Sequence, residues 1–266
     1  MELKRGNRAG FPFNLPLFQE LGHLRLDAPV TFLVGENGSG KSTLLEGLAV
    51  ATQRIAVGAD NLADDESMEV ARRLGQELRL VWSRRTALGF FLRAEDFFGY
   101  VRRLNQMQRE VELEARQIQD TYRREQRSDY ATGLALGTVR GQATALREQY
   151  QALEQRSHGE SFLHFFQSRV VPGGLYILDE PETPLSPQNQ IAFLAVLHEA
   201  VSQGSQFVIA THSPILMAYP EAVIYCLDRL PPKPMEYRAL DHFRLTRDFL
   251  NNPEIYLRHL LGEEMG

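Results

Sequence analysis

The chain has 266 residues, 43% hydrophobic and 24% charged, with a formal net charge of −5. That is enough apolar material for a core in one large domain or two small ones; it excludes a disordered tail or a staple-dependent mini-protein and argues against a globally basic nucleic-acid binder. The single cysteine, Cys226, excludes an internal disulfide and a cysteine-built zinc cage.

Residues 24–34 read as a strand, a turn at Asp27-Ala28-Pro29 and a second, β-branched strand running straight into a glycine-rich loop. From Ser42 onward Leu44, Leu45, Leu48, Val50, Ala51 and Ile55 repeat at helical spacing, so the order is strand, loop, helix. Residues 58–73 are polar and acidic and read as a surface loop entering a short helix. Residues 77–98 read as two short strands around a turn, ending in an aromatic segment.

From about Tyr100 to Arg127 the pattern changes. Leu104, Val111 and Ile118 recur every heptad with Ala115 and Tyr122 interleaved, which predicts an amphipathic helix of roughly 40 Å. A second helix is predicted over 139–156, where Ala143, Leu146, Tyr150 and Leu153 share a face, and the glycines between Gly133 and Gly141 are expected to hold the turn of a helical hairpin. Its arginines, from Arg102 to Arg156, read as a solvated helix surface, with a phosphate- or nucleic-acid-contacting face as the alternative.

After Gly173-Gly174 comes the apolar strand Leu175-Tyr176-Ile177-Leu178, ending in Asp179 and Glu180. A Pro-rich turn (Thr183 to Pro187) leads to a helix, Gln188 to Ser202, with Ile191, Leu194, Ala195, Leu197 and His198 as its apolar side. A further strand, Gln206 to Ala210, ends in Thr211-His212-Ser213. The C-terminal part reads as a strand (Ala222 to Leu227), a Pro-rich turn and a terminal helix. Alternating strands and helices predict a mainly parallel sheet covered on both faces. Apolar runs such as Val30 to Val34 fall far short of the roughly 20 residues that span a bilayer, and no charged-then-apolar leader opens the chain, so a soluble, cytoplasmic protein without membrane insertion is expected.

The chemistry starts at Gly35-Glu36-Asn37-Gly38-Ser39-Gly40-Lys41-Ser42-Thr43, a full match to GxxxxGKS/T. Gly35, Gly38 and Gly40 let successive amides of the loop, with Asn37 and Ser39 between them, point at one phosphate chain, and the following helix aims its positive end there. Lys41 is placed for the β- and γ-phosphates and Ser42 for magnesium. Asp179, at a buried strand's end, is the second magnesium candidate, and Glu180 beside it is placed to deprotonate an attacking water. His212, directly after a strand, stands on the edge where doubly wound folds bind ligands and is a candidate donor to a γ-phosphate. Ser157-His158-Gly159-Glu160-Ser161 combines a hydroxyl and a glycine amide at a helix start, an anion site in outline.

These elements, in this order, resemble the ATP-binding-cassette (ABC) type ATPases over most of the chain. Gly35 to Thr43 resembles the Walker A loop, Leu175 to Glu180 Walker B with its catalytic glutamate, Thr211-His212-Ser213 the switch-histidine loop, and Ser157 to Ser161 the signature motif, with Ser157 and Gly159 matching its serine and second glycine. More closely, the chain is similar to small stand-alone bacterial ATPases of the structural-maintenance-of-chromosomes type. The resemblance implies a single P-loop domain over 1–266 with a helical subdomain at about 99–157, ATP and Mg2+ as ligands, and a homodimer sandwiching two ATP molecules, each site completed by Ser157 and Gly159 of the other copy. It implies a switch working with a protein or DNA partner; a transporter's nucleotide-binding subunit and a structural module that barely hydrolyses are the alternatives. The sequence departs from the family at His158, in place of a glycine, and at Ser186, where the D-loop has aspartate. No glutamine stands at the magnesium-sensing position, which Glu95 roughly occupies. Phe13 reads either as an adenine-stacking ring or as core packing.

Overall fold

The computed structural model describes residues 1–4, 9–57, 69–154 and 157–261, without the side chains of 138, 149–152, 154 and 259. The acidic stretch at 58–68, Arg156 and the side chains of Tyr150 and His259 therefore lie outside the described residues. The chain runs β1 (Glu2–Leu3), α1 (Pro16–Gln19), β2 (Val30–Val34), α2 (Lys41–Ala51), β3 (Ile55–Ala56), α3 (Glu69–Glu77), β4 (Leu78–Arg79), β5 (Phe90–Arg93) and α4 (Ala94–Arg124). It continues through α5 (Asp129–Glu154), α6 (His158–Arg169), β6 (Leu175–Asp179), α7 (Pro187–Ser202), β7 (Gln206–Ala210), β8 (Val223–Cys226), α8 (Asp241–Asn251) and α9 (Pro253–Leu261).

Among the described residues, six strands form one sheet in the order β3-β5-β6-β7-β2-β8, and every pairing in it is parallel. Such a sheet must be covered on both faces, and alternate residues of each strand serve the two sides. Phe32, Tyr176, Leu178, Phe207 and Ile209 join one core with α6 and α7, while Leu33, Ile177, Val208 and Ala210 join the other with α2 and α1. The first core is aromatic: Phe90 meets Phe165, Phe166 and Tyr176 with ring centroids 5.0–5.7 Å apart, and Phe166 packs on Phe193 at 4.9 Å. On the other face α2 and α3 pack closely because Gly47 has no side chain; a Cβ there would lie 2.6 Å from Leu74 Cδ2. This is the α/β P-loop NTPase architecture expected from the sequence, a parallel sheet flanked by helices with a helical hairpin beside it.

Several local expectations are corrected. Residues 24–27 form no strand; this stretch has only an isolated bridge nearby, between His23 and Glu2. The aromatic segment after β5 is already helix, because α4 begins at Ala94. The hairpin turn lies at residues 125–128, and Gly133, Gly137 and Gly141 sit inside α5 with open space where their Cβ atoms would be. Three glycines at four-residue spacing weaken an isolated helix by about 1 kcal/mol each, and here α5 packs along α4 with Leu136 and Leu153 buried. On α7 the buried stripe is Phe193, Leu197 and Ala200, whereas Ile191 is 60% exposed. The strand read at 222–227 is the shorter β8, and the terminal helix is two, α8 and α9. Cys226, Trp82 and Phe98 are half-buried, whereas Phe90, Phe91 and Phe97 are core.

Candidate functional site

In a parallel sheet all strands end on the same edge, so the loops after β2, β6 and β7 are neighbours wherever those strands are. The order places β7 between β6 and β2. The residue after β7 must then stand between the glycine-rich loop after β2 and the carboxylates after β6, and that residue pair is Thr211-His212.

The loop itself is shaped by close approach. A Cβ on Gly35 would lie 2.8 Å from Ser39 Oγ and 3.0 Å from Asp228 Oδ1. Gly40 is the N-cap of α2 at φ +94° with no capping side chain, which leaves the first amides of the helix to a ligand. Lys41 is buried, and its Nζ donates to the carbonyls of Gly35 (2.7 Å) and Glu36 (2.9 Å). Burial pushes its pKa below the usual lysine range, while the charges of Glu180, Asp228, Asp179 and Glu36 pull the other way. Asn37 and Gly38 are exposed at the loop's tip, and Ser42 and Thr43 are half-buried in the first turn of α2.

Asp179 ends β6. Burial lifts its pKa to about 6, against a hydrogen bond from the Ser42 side chain, and its Oδ1 is buried without a hydrogen-bond partner. A serine hydroxyl beside a carboxylate with an idle oxygen is a hard-oxygen donor set, and it fits Mg2+. An acid whose folded pKa lies above its unfolded value makes the fold less stable as pH rises from about 4 through about 6, because the folded state holds the proton more tightly. Without Mg2+, Asp179→Asn is therefore expected to raise stability at pH 7.5 by up to about 3 kcal/mol, with the gap closing below pH 4. Thermal melts in a chelator across that range would measure this, and a variant less stable than the parent at pH 7.5 would refute it.

Glu180 adopts φ +50°, a left-handed conformation that a glutamate rarely takes. Its amide bonds to Ala210 O at 2.9 Å, locking the residue to the end of β7. The carboxylate then lies with Oε1 3.7 Å from His212 Nε2, a ring nitrogen that is buried and unpartnered. Burial first, and the Lys41 charge second, hold the His212 pKa below the usual value. Lys41, Ser42, Asp179, Glu180 and His212 are thus gathered at one sheet edge.

Ser157 and Gly159 belong to a different element. Ser157 is the N-cap of α6 in a capping box: Glu160 Oε2 accepts from its amide (2.9 Å) and its hydroxyl (2.8 Å). Gly159 is buried, and a Cβ there would collide with Asn189 Nδ2 of α7. His158 packs on Phe98 of α4, with ring centroids 5.2 Å apart. Ser186 caps α7 by accepting from the Asn189 amide at 3.3 Å.

Glu95 is 78% exposed in the first turn of α4; the side chain at the edge of the site is Arg93, in register with Asp179 and bonded to Glu46 of α2 at 3.0 Å and Asp96 of α4 at 2.8 Å. Of the two readings of Phe13, core packing holds: the ring is 8% exposed, with Arg73 over it. Sequence reasoning also missed Asp228, which accepts from the Glu36 amide at 2.9 and 3.1 Å. It missed Glu182 as well, a half-buried glutamate that accepts from the His212 amide at 2.6 Å. His242, which shows no spacing suggestive of a metal site, lies with Nε2 3.1 Å from His212 Nδ1. Only the identity of each residue was a signal, since their partners are 30 to 192 positions away in sequence.

Two protein families match parts of this chain: an AAA domain over residues 14–127, which holds the glycine-rich loop, and the family described as "AAA domain, putative AbiEii toxin, Type IV TA system" over residues 162–218, which holds Asp179, Glu180 and His212. No curated protein matches it significantly. Among solved structures, the SMC head domain from Thermotoga maritima is 17% identical with a TM-score of 0.39, covering 80% of this chain and 92% of that one. The Smc head domain with an extended coiled coil, bound to the C-terminal domain of ScpA and derived from Pyrococcus furiosus, is 10% identical at 0.36, covering 86% and 93%. The archaeal ribosome recycling factor aABCE1 in complex with stalk protein aP1 is 16% identical at 0.35, covering 74% of this chain and 35% of that one.

Proposed function

We propose that this chain, whose fold is that of a small ABC-type P-loop ATPase, works as an ATP-driven switch that closes as a homodimer on nucleotide and acts on a protein or DNA partner. The observation that carries the reading is the convergence of Lys41, Asp179, Glu180 and His212 on one sheet edge around an uncapped helix N-terminus.

The loop amides and Lys41 would bind and neutralise the triphosphate. To do so Lys41 must give up the carbonyls of Gly35 and Glu36 for phosphate oxygens, a stronger, charge-assisted exchange. Mg2+, held by Ser42 and Asp179, would supply charge neutralisation between the phosphates. Glu180, fixed by its backbone bond to β7, takes the proton of the attacking water, and His212 Nε2 offers a hydrogen bond to the transferred phosphoryl group. Catalysis is then mainly positioning and charge stabilisation. The long α4–α5 hairpin would serve as an arm inserted in a single ATPase domain, through which a partner senses the nucleotide state.

In the sandwich, Ser157 and Gly159 of one copy would complete the site of the other. That requires Glu160 to release the Ser157 hydroxyl to a phosphate oxygen. Ser157→Arg is expected to leave ATP binding by the monomer within about twofold while light scattering with Mg-ATP stays at the monomer mass, where the parent doubles. A parent that remains monomeric at saturating ATP would remove the dimer from the proposal and leave the ATPase.

A further inference from the structure

His212 is held by more than its own loop. Its Nδ1 lies 3.1 Å from Nε2 of His242, with the rings 5.3 Å apart and inclined at 51°. His242 is the second residue of α8, a helix with no buried residue of its own. Two other contacts seat that helix against the same loop. Phe243 packs on Tyr237 with centroids 4.5 Å apart, and the Tyr237 hydroxyl donates to the carbonyl of Pro214, two residues beyond His212, at 2.8 Å.

Two imidazoles in nitrogen-to-nitrogen contact share one proton. If His212 Nδ1 carries it, Nε2 presents a bare lone pair toward the Glu180 carboxylate 3.7 Å away, and toward any phosphate oxygen placed there. If His242 Nε2 carries it, His212 Nδ1 accepts and His212 Nε2 keeps its hydrogen, facing an anion. The neighbouring carboxylate favours the second arrangement, and the low His212 pKa keeps the ring neutral, so that a tautomer exists to be chosen.

We propose that His242 is a positioning residue for His212: by donating from Nε2 to His212 Nδ1 it holds that ring in the Nε2–H tautomer aimed at Glu180, so the seating of α8 decides whether the site has a hydrogen-bond donor for the phosphoryl group. The assignment of that donor to a phosphoryl group rests on the ATPase reading above; the tautomer itself does not. The consequence is that α8, outside every sequence motif, controls the donor state of the site.

The test has two arms. In the nucleotide-free protein, long-range 15N–1H correlation spectra are expected to show His212 protonated at Nε2 and bare at Nδ1, with a coupling across the nitrogen pair that disappears in His242→Leu. A His212 protonated at Nδ1 in the parent overturns the proposal, whatever the protein hydrolyses. In the kinetic arm, His242→Leu is expected to lower kcat for ATP roughly tenfold or more with KM and nucleotide Kd within about twofold, a split expected of a group that acts on the reacting state. His242→Gln, whose amide nitrogen can donate to the same Nδ1, is expected to recover most of the loss. Turnover unchanged in His242→Leu would overturn the proposal and leave the ATPase reading standing. Absence of turnover in the parent together with the Nε2–H tautomer would do the reverse.

Discussion

Replacing Glu180 by glutamine is expected to lower ATP turnover by roughly a thousandfold, the upper part of the range for removing a general base, while leaving ATP affinity within a few-fold. The substitution is nearly isosteric, and the residue's unusual backbone is held from outside, by the bond from its amide to Ala210 O and the turn closed from Thr183 N to its own carbonyl. What changes is one proton acceptor. The introduced carboxamide can still approach His212, so the site keeps its shape and loses only the capacity to take a proton from water. In the switch reading this variant is also the trap: with hydrolysis blocked, the ATP-bound dimer should persist, and light scattering in Mg-ATP should report a stable doubled mass. Turnover within tenfold of the parent would show that Glu180 is not the base. Turnover lost without a dimer would separate the chemistry from the sandwich.

Lys41→Ala is expected to abolish measurable nucleotide binding, with the affinity for ATP falling by about a hundredfold or more, since a charge-assisted contact to phosphate in a partly dry site is worth on the order of 3 kcal/mol. Lys41 is the cation in contact with the loop's own carbonyls, and it stands among four carboxylates that act on it: Glu180, Asp228, Asp179 and Glu36. Without it a triphosphate would meet that negative field directly, which is why the effect should exceed that of an ordinary exposed lysine. Isothermal titration with ATP is the measurement, and melting of the variant controls for the fold. Because burial already disfavours the charged form of Lys41 in the free protein, its removal should cost the fold little. Retained micromolar affinity would mean that the lysine lies away from the phosphates.

The legible parts of this protein share a property: each is local. The loop from Gly35 to Thr43 carries its glycines, its lysine and its helix start within nine consecutive residues, and Asp179, Glu180 and His212 each follow an apolar strand that announces itself. The hairpin is legible as two helices, because heptad spacing survives in Leu104, Val111 and Ile118. Its turn is not, because the propensity of Gly133, Gly137 and Gly141 is overridden by packing along α4 while the actual turn at 125–128 contains no glycine. The inner face of α7 escapes the sequence for a similar reason: Ile191 and Phe193 are equally apolar, and only the position of the sheet buries one and exposes the other.

The sequence by itself determined that a P-loop precedes a helix, that two carboxylates and a histidine end strands, and that those strands alternate with helices. Only the tertiary structure decided that β7 lies between β6 and β2, which puts His212 beside Glu180. The same structure decided that Arg93 rather than Glu95 borders the site, and that His242 from α8 meets His212 ring to ring. The physical reason is that backbone propensity and side-chain periodicity act over a few residues and are written in order along the chain. Strand neighbours and the partners of a buried ring are instead selected by burial and hydrogen-bond satisfaction among groups tens to hundreds of residues apart, and that selection exists only once the sheet has closed.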